Sequence, residues 1–267
     1  MINIAVPNYK FLEPMLYNLK KVEKDSNIRV LEVNPNECFD LFLRNSVDLA
    51  LFTPLDYGKI IKNADVRIVP QSCFALEGYT GVFSFYFKSG LENINDIPSP
   101  MHEDYLSTIF KIVLAEKYEI YAELIKSKNS ISEMLDEYKL CFHYGSDDEI
   151  ANSMDLSEEW FDSYESILPV CFWVVRNEEE PENLEDFLIS IKQYYNEEII
   201  PVSKPVDDVE NRTGNIIIKW NDEIEKSLES VLDMLYFYQY IPEIPEIKLL
   251  GEHTIGSDEI NDIEIEE

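Results

Sequence analysis

The sequence is short of positive charge, of glycine and of cysteine. Only 22 of its 267 residues are lysine or arginine, against 53 aspartates and glutamates, giving a formal charge of −31. Such a surface repels nucleic acid and anionic membranes, both of which require basic patches. Glycine is scarce at 8 residues, and no glycine-rich phosphate loop is present; nothing points to a nucleotide or flavin. The four cysteines, Cys38, Cys73, Cys141 and Cys171, are widely spaced. No Cys-x-x-Cys pair or Cys/His cluster at zinc spacing occurs, so no metal site is expected. They read as buried free thiols acting as small hydrophobes. No apolar run reaches the ~18 residues that a membrane-spanning helix needs. The first residues, Met1 to Pro7, lack a basic segment and a long apolar segment and read as a strand, not a leader; a cytoplasmic protein is expected.

What is present is a core-forming composition: 45% hydrophobic and 12% aromatic residues. Much of the acidic excess is expected to be solvated surface. Six of the last eleven residues are acidic, and 251–267 is expected to be a mobile acidic tail outside the fold.

The first half alternates strand and helix patterns. Ile2–Val6, Ile28–Val33 and Val47–Phe52 are short apolar runs. Met15, Leu16, Leu19 and Val22 recur at helical spacing after Pro14, which suits a first helical turn. A short helix opens near Asn36, a plausible N-cap, and another spans Tyr57–Lys62. Val66–Val69, Ser72–Leu76 and Gly81–Phe87 read as further strands. Alternation of this kind predicts an α/β fold with mixed, mostly parallel sheets flanked by helices.

The texture changes near residues 88–100, which are rich in turn formers and proline. Beyond lie an amphipathic helix, Tyr105–Tyr118, and a shorter one opened by Ser130 with Glu133 three residues on, a capping box. A strand Leu140–Tyr144, a helix Leu156–Tyr164 and an apolar strand Val170–Val175 follow. Leu184–Tyr195 reads as a helix, 201–213 as a polar loop and Asp222–Tyr240 as a closing helix. The pattern predicts a two-domain clamshell. A discontinuous first domain (1–88 and 173–250) holds an inserted second domain (89–172), with two strands crossing between them. Domain interfaces of this kind are common pocket positions, and such crossings suit hinge closure.

Several segments resemble, in order along nearly the whole chain, the chorismate dehydratase family of the futalosine route to menaquinone. That family is built on the type II periplasmic-binding-protein fold. The best match is Val47-Asp48-Leu49-Ala50-Leu51-Phe52-Thr53-Pro54-Leu55-Asp56-Tyr57. Others are Pro14 to Leu19, Arg67 to Ala75 followed by Gly78, Lys111 to Tyr118, Leu156 to Trp160, and Leu168 to Val174. The resemblance implies a carbon–oxygen lyase acting on chorismate in menaquinone biosynthesis, with a small ring-bearing carboxylic acid in the interdomain cleft and no cofactor.

The departures from that family fall on its chemistry. Its first loop carries an asparagine shortly before the proline; here the loop reads Asn8-Tyr9-Lys10-Phe11-Leu12-Glu13-Pro14, so Asn8 and Lys10 are the residues available to take the catalytic part. Val82 stands where the family has a serine. Its second-domain helix opens on serines, a threonine and an arginine, whereas here the place reads His102-Glu103-Asp104. Chorismate carries two carboxylates, and a helix start with two acids favours a neutral or cationic group unless the acids point outward; simple capping is the plainer reading of those acids.

Open α/β sheets place ligands at the carboxyl ends of strands. On that basis Tyr9, Thr53, Pro54, Asp56, Gly78, Thr80, His102, Gly145 and Asp147 are the candidate substrate contacts. Each reads also as a turn or cap residue. His143 reads as a strand histidine. Tyr9, Tyr79, Phe83, Phe85, Tyr86 and Phe87 border the expected cleft and read either as a stacking surface or as core; Tyr236 to Tyr240 read as helix packing. Two alternatives stand beside the lyase: a non-catalytic binding or sensor protein, and a sister enzyme with a less anionic substrate. Oligomeric state is not legible.

Overall fold

A computed structural model of the chain describes residues 2–25, 27–88, 93–100, 102–145, 152–176, 184, 198–205 and 211–251. Most of the expected helix at 184–195, Asp147, and all but the first residue of the acidic tail lie outside the described residues.

The largest sheet has seven strands in the order β11-β12-β4-β10-β3-β1-β2. They are β1 (Ile2–Pro7), β2 (Ile28–Val33), β3 (Leu49–Phe52), β4 (Val66–Gly78), β10 (Leu168–Arg176), β11 (Ile199–Lys204) and β12 (Arg212–Lys219). β1 runs parallel to β2 and β3, and here the expected alternation holds. Helix α1 (Glu13–Asp25) links β1 to β2 and α2 (Pro35–Leu43) links β2 to β3; α3 (Pro54–Ile60) follows β3. The other pairings in this sheet are antiparallel.

The sheet is mixed, as expected, but its antiparallel pairings outnumber its parallel ones. Two of the antiparallel pairings come from β10 and two from β11 and β12. β10 is buried along all nine residues and apolar up to Arg176 at its end, as a central strand covered on both faces must be. It enters the sheet between β3 and β4 in the direction opposite to both. Two further readings change. The loop expected at 201–213 contributes strand residues to β11 and β12, and the two strands expected within 66–76 are one, β4. A proline-containing polar segment hides an edge hairpin because β11 alternates exposed and half-buried residues and buries none fully.

Gly214 shows why the β4–β12 junction needs glycine. A Cβ there would sit 2.3 Å from the carbonyl oxygens of Glu77 and Tyr79. Its partner Gly78 has φ +61°, a conformation that side chains with a Cβ rarely adopt.

A second group of strands forms the other domain. β5 (Phe83–Phe87) pairs antiparallel with β8 (Leu140–Tyr144) and β9 (Ser153–Asp155). β6 (Asp96–Ser99) pairs parallel with β7 (Glu123–Lys126). Helices α4 (Tyr105–Tyr118), α5 (Ile131–Glu137) and α6 (Leu156–Tyr164) belong to this part of the chain. The chain thus passes from the large sheet to the small one between β4 and β5 and returns between α6 and β10. Strand β5, inside the 1–88 stretch, is a member of the small sheet, and β10 joins the large sheet from Leu168 onward.

The closing helix α7 (Asp222–Phe237) buries Ile224, Leu228, Val231, Leu232 and Leu235, an i, i+4, i+7, i+8 stripe facing the sheet. Its end departs from the packing expectation: Tyr236 and Phe237 are exposed at 47% and 74%. All four cysteines are buried and unpaired. Among the described residues no helix is long and apolar enough to cross a membrane.

Candidate functional site

A cleft of about 1390 Å³ opens between the two domains. Stretches from both domains wall it. The loop after β1 brings Asn8, Tyr9, Lys10 and Phe11, and the start of α2 brings Asn34 and Glu37. Across from these, the second domain contributes His102, Glu103 and Asp104 ahead of α4, Lys126 at the end of β7, and His143, Tyr144 and Gly145 at the end of β8. Gly81 and Val82, at the crossing, close the back. The first-domain contributions sit at the carboxyl ends of the parallel strands β1 and β2, where strand direction leaves loops and helix starts facing a ligand.

The two walls touch through a hydrogen bond. Tyr9 Oη donates to Asp104 Oδ2 at 3.2 Å, while Asp104 Oδ1 accepts the Ser107 N–H at 2.8 Å and so caps α4. Burial pushes the Asp104 carboxyl above the usual carboxylate range, against the hydrogen bonds that favour its charge. The same burial, with the Asp104 charge next, holds the Tyr9 hydroxyl well above its ordinary value, so it stays a donor. Around this bond lie three rings. Tyr9 stacks on Phe11 with centroids 4.8 Å apart, and Tyr144 is 6.4 Å from Tyr9 and 6.1 Å from Phe11. Phe11 also meets Phe83 edge-on at 4.8 Å, which ties the cleft floor to the core.

Helix starts in this region carry their own carboxylates. Glu37 accepts the Asn34 N–H at α2 at 3.1 Å. At α3, Asp56 accepts the Thr53 N–H at 3.1 Å and the Thr53 hydroxyl at 2.7 Å. Asp104 serves α4, and Asp155 accepts the Glu158 N–H at α6 at 3.0 Å. A helix N-terminus draws anions through free N–H groups and a partial positive charge. At α4 and α6 a side-chain carboxylate takes a first-turn N–H, and at α2 and α3 one sits beside the cap residue. The cleft lining holds four acids, Glu13, Glu37, Glu103 and Asp104, against Lys10 and Lys126.

Of the residues singled out in the sequence, Asn8, Tyr9, Lys10, His102 and Gly145 come together at the cleft. Thr53, Pro54 and Asp56 do not line it; they form the capped start of α3. Gly78 is engaged in the β4–β12 junction. Thr80 is buried with its hydroxyl 2.8 Å from Ser157 Oγ. Ser157 in turn lies 2.8 Å from the Gly78 carbonyl and 2.6 Å from Asp155 Oδ1, and Asp155 Oδ2 accepts the Gly81 N–H at 2.8 Å. This network belongs to the crossing between sheets. Phe83, Phe85 and Tyr86 are fully buried, so their core reading holds and stacking falls to Tyr9, Phe11 and Tyr144. His143, read as a strand histidine, lies in β8 one residue before its end at the cleft, its Nδ1 2.8 Å from the Tyr144 carbonyl oxygen.

The sequence reading missed Asn34, Glu37, Lys126 and Tyr144 as lining residues. Asn34 and Glu37 were findable, because they follow the carboxyl end of a parallel strand. Lys126 was not, because β7 carries no distinctive pattern.

No family model matches the chain, and no curated protein matches it. Solved structures do. The chain is similar to protein AF1704 from Archaeoglobus fulgidus, with 12% identity, a TM-score of 0.57, and 90% of this chain and 98% of that one covered. It is also similar to the periplasmic aliphatic sulphonate binding protein SsuA from Escherichia coli, with 10% identity, a TM-score of 0.58, and 92% and 95% covered. CAE31940 from Bordetella bronchiseptica matches at 9% identity and a TM-score of 0.51, over 72% of this chain and 70% of that one.

The fold is the two-domain, periplasmic-binding-protein-like α/β fold. At these identities the likeness concerns the fold alone.

Proposed function

We propose that this protein binds a small ring-bearing molecule in the interdomain cleft, one without the two carboxylates of chorismate. The observation that carries this reading is the Tyr9–Asp104 hydrogen bond, which joins the domains inside a cleft lined by stacked aromatic rings. Rings offer a stacking surface for a ring. Two domains meeting over a cleft suit closure on a ligand.

The carboxylates set the limit on charge. Two like charges 4 Å apart repel by about 4 kcal/mol at an effective dielectric near 20. A dianion entering this cleft meets Asp104 and Glu103 at the helix start where the dehydratases, by the resemblance above, offer hydroxyls and a cation. The whole-chain field of −31 opposes it further.

The lyase reading is the second one, and a specific observation favours it. Asn8 and Lys10, the residues available to replace the family's first-loop asparagine, both line the cleft. A dehydration needs a base within reach of the C–H bond and stabilisation of the developing charge, and these two are the nearest equivalents this loop offers. One experiment separates the readings. Purified protein is incubated with chorismate and assayed for the enolpyruvyl-benzoate product, alongside thermal-shift measurements with small aromatic metabolites. The binding reading expects no product and stabilisation by a metabolite other than chorismate. Turnover of chorismate would overturn it in favour of the lyase.

A further inference from the structure

We propose that the ligand is a cation: a ring-bearing ammonium or amidinium whose charged nitrogen docks on the Asp104 carboxylate and the Tyr9 hydroxyl oxygen, with its ring against Phe11 and Tyr144. This rests on the cleft being a small-molecule site and adds the sign of the ligand's charge.

Three observations carry it. The first is a carboxylate with no counter-charge. Asp104 lines the cleft, yet its hydrogen bonds come from the Ser107 N–H and the Tyr9 hydroxyl, both neutral. Among the described residues no lysine, arginine or histidine lies within ion-pair distance of it. A carboxylate withdrawn from water costs free energy unless it is paired, and the raised Asp104 carboxyl is the signature of that cost. An arriving cation supplies the missing partner.

The second is the ring arrangement. The faces of Tyr9, Phe11 and Tyr144 carry negative quadrupole potential, which attracts a cation within about 6 Å of a ring centroid. They surround the same hydrogen bond. Carboxylate and ring faces thus select the same charge.

The third concerns what an anion would need. Asp104 takes the Ser107 N–H at the start of α4 and Glu37 holds the Asn34 N–H just ahead of α2, so an anion approaching either helix start meets a negative side chain. Lys10 and Lys126 are both exposed. Their charge is met by solvent more fully than that of the half-buried Asp104.

The test uses the full chain and three probes of matched size: phenylethylammonium, phenylacetamide and phenylacetate, each titrated calorimetrically. The ammonium is expected to bind at least about tenfold more tightly than the carboxylate, a difference well within one charge-assisted hydrogen bond. In Asp104→Asn, the preference for the ammonium over the neutral amide is expected to fall about tenfold. Asparagine caps helices as well as aspartate does, so α4 should be retained. A matched far-ultraviolet spectrum checks this, and the wild-type probe series stands without the variant. Phenylacetate binding as tightly as the ammonium, or an Asp104→Asn variant that folds and keeps the preference for the ammonium unchanged, overturns the charge assignment and leaves the small-molecule reading intact. Binding of none of the three overturns both.

Discussion

Asp155 shows how one residue serves the crossing between domains. It is 1% exposed, caps α6, and reaches back to the Gly81 N–H and the Ser157 hydroxyl. Burial outweighs those hydrogen bonds and raises its carboxyl to about 6. An unfolded aspartate titrates near 3.9, so the folded state holds this proton more tightly. The stabilisation is fully present below about pH 4 and is lost as pH rises through about 6, amounting to roughly 3 kcal/mol at 1.36 kcal/mol per unit. Urea denaturation across that window should show the fall in wild type, and Asp155→Asn, which has no proton to lose, should flatten it. An equal slope in the variant would assign the pH dependence elsewhere. At this scale the sequence places Asp155 directly ahead of a helix but carries no sign of its burial, because burial depends on the Gly78–Gly81 segment packed against it.

At the scale of elements, capping was well legible and location was not. Thr53 and Asp56 form a reciprocal pair at the start of α3, a pattern written in four consecutive residues. Whether that helix start faces a ligand depends on strands far away in sequence. Thr53→Ala is expected to cost about 1–2 kcal/mol in urea denaturation, the usual worth of a threonine cap, with the affinity of a cleft ligand unchanged. Loss of binding without loss of stability would return Thr53 to the candidate contacts. The N-cap of α2 moved from Asn36 to Asn34 because Pro35 suits the first helical position. Residues 201–213 read as a loop because β11 buries no residue fully, so it carries too weak an apolar pattern to register.

For the molecule as a whole, a formal charge of −31 makes the compact state repel itself. Raising sodium chloride from about 20 mM to about 300 mM shortens the Debye length several-fold, and the unfolding midpoint is expected to rise by a few degrees in calorimetry. A midpoint that falls would mean that ion pairs such as Arg212–Glu158 and Lys117–Glu159 outweigh the repulsion. By itself the sequence determined the α/β class, the two-domain organisation and the sign of the surface field, because periodicity, turn chemistry and composition are local and additive. It also placed Asn8, Tyr9, Lys10, His102 and Gly145 at strand and helix ends. Only the tertiary structure decided which of those ends meet. The reversed insertion of β10, and the Tyr9–Asp104 bond between residues 95 positions apart, arise from packing across the whole chain, and no window of sequence contains both partners.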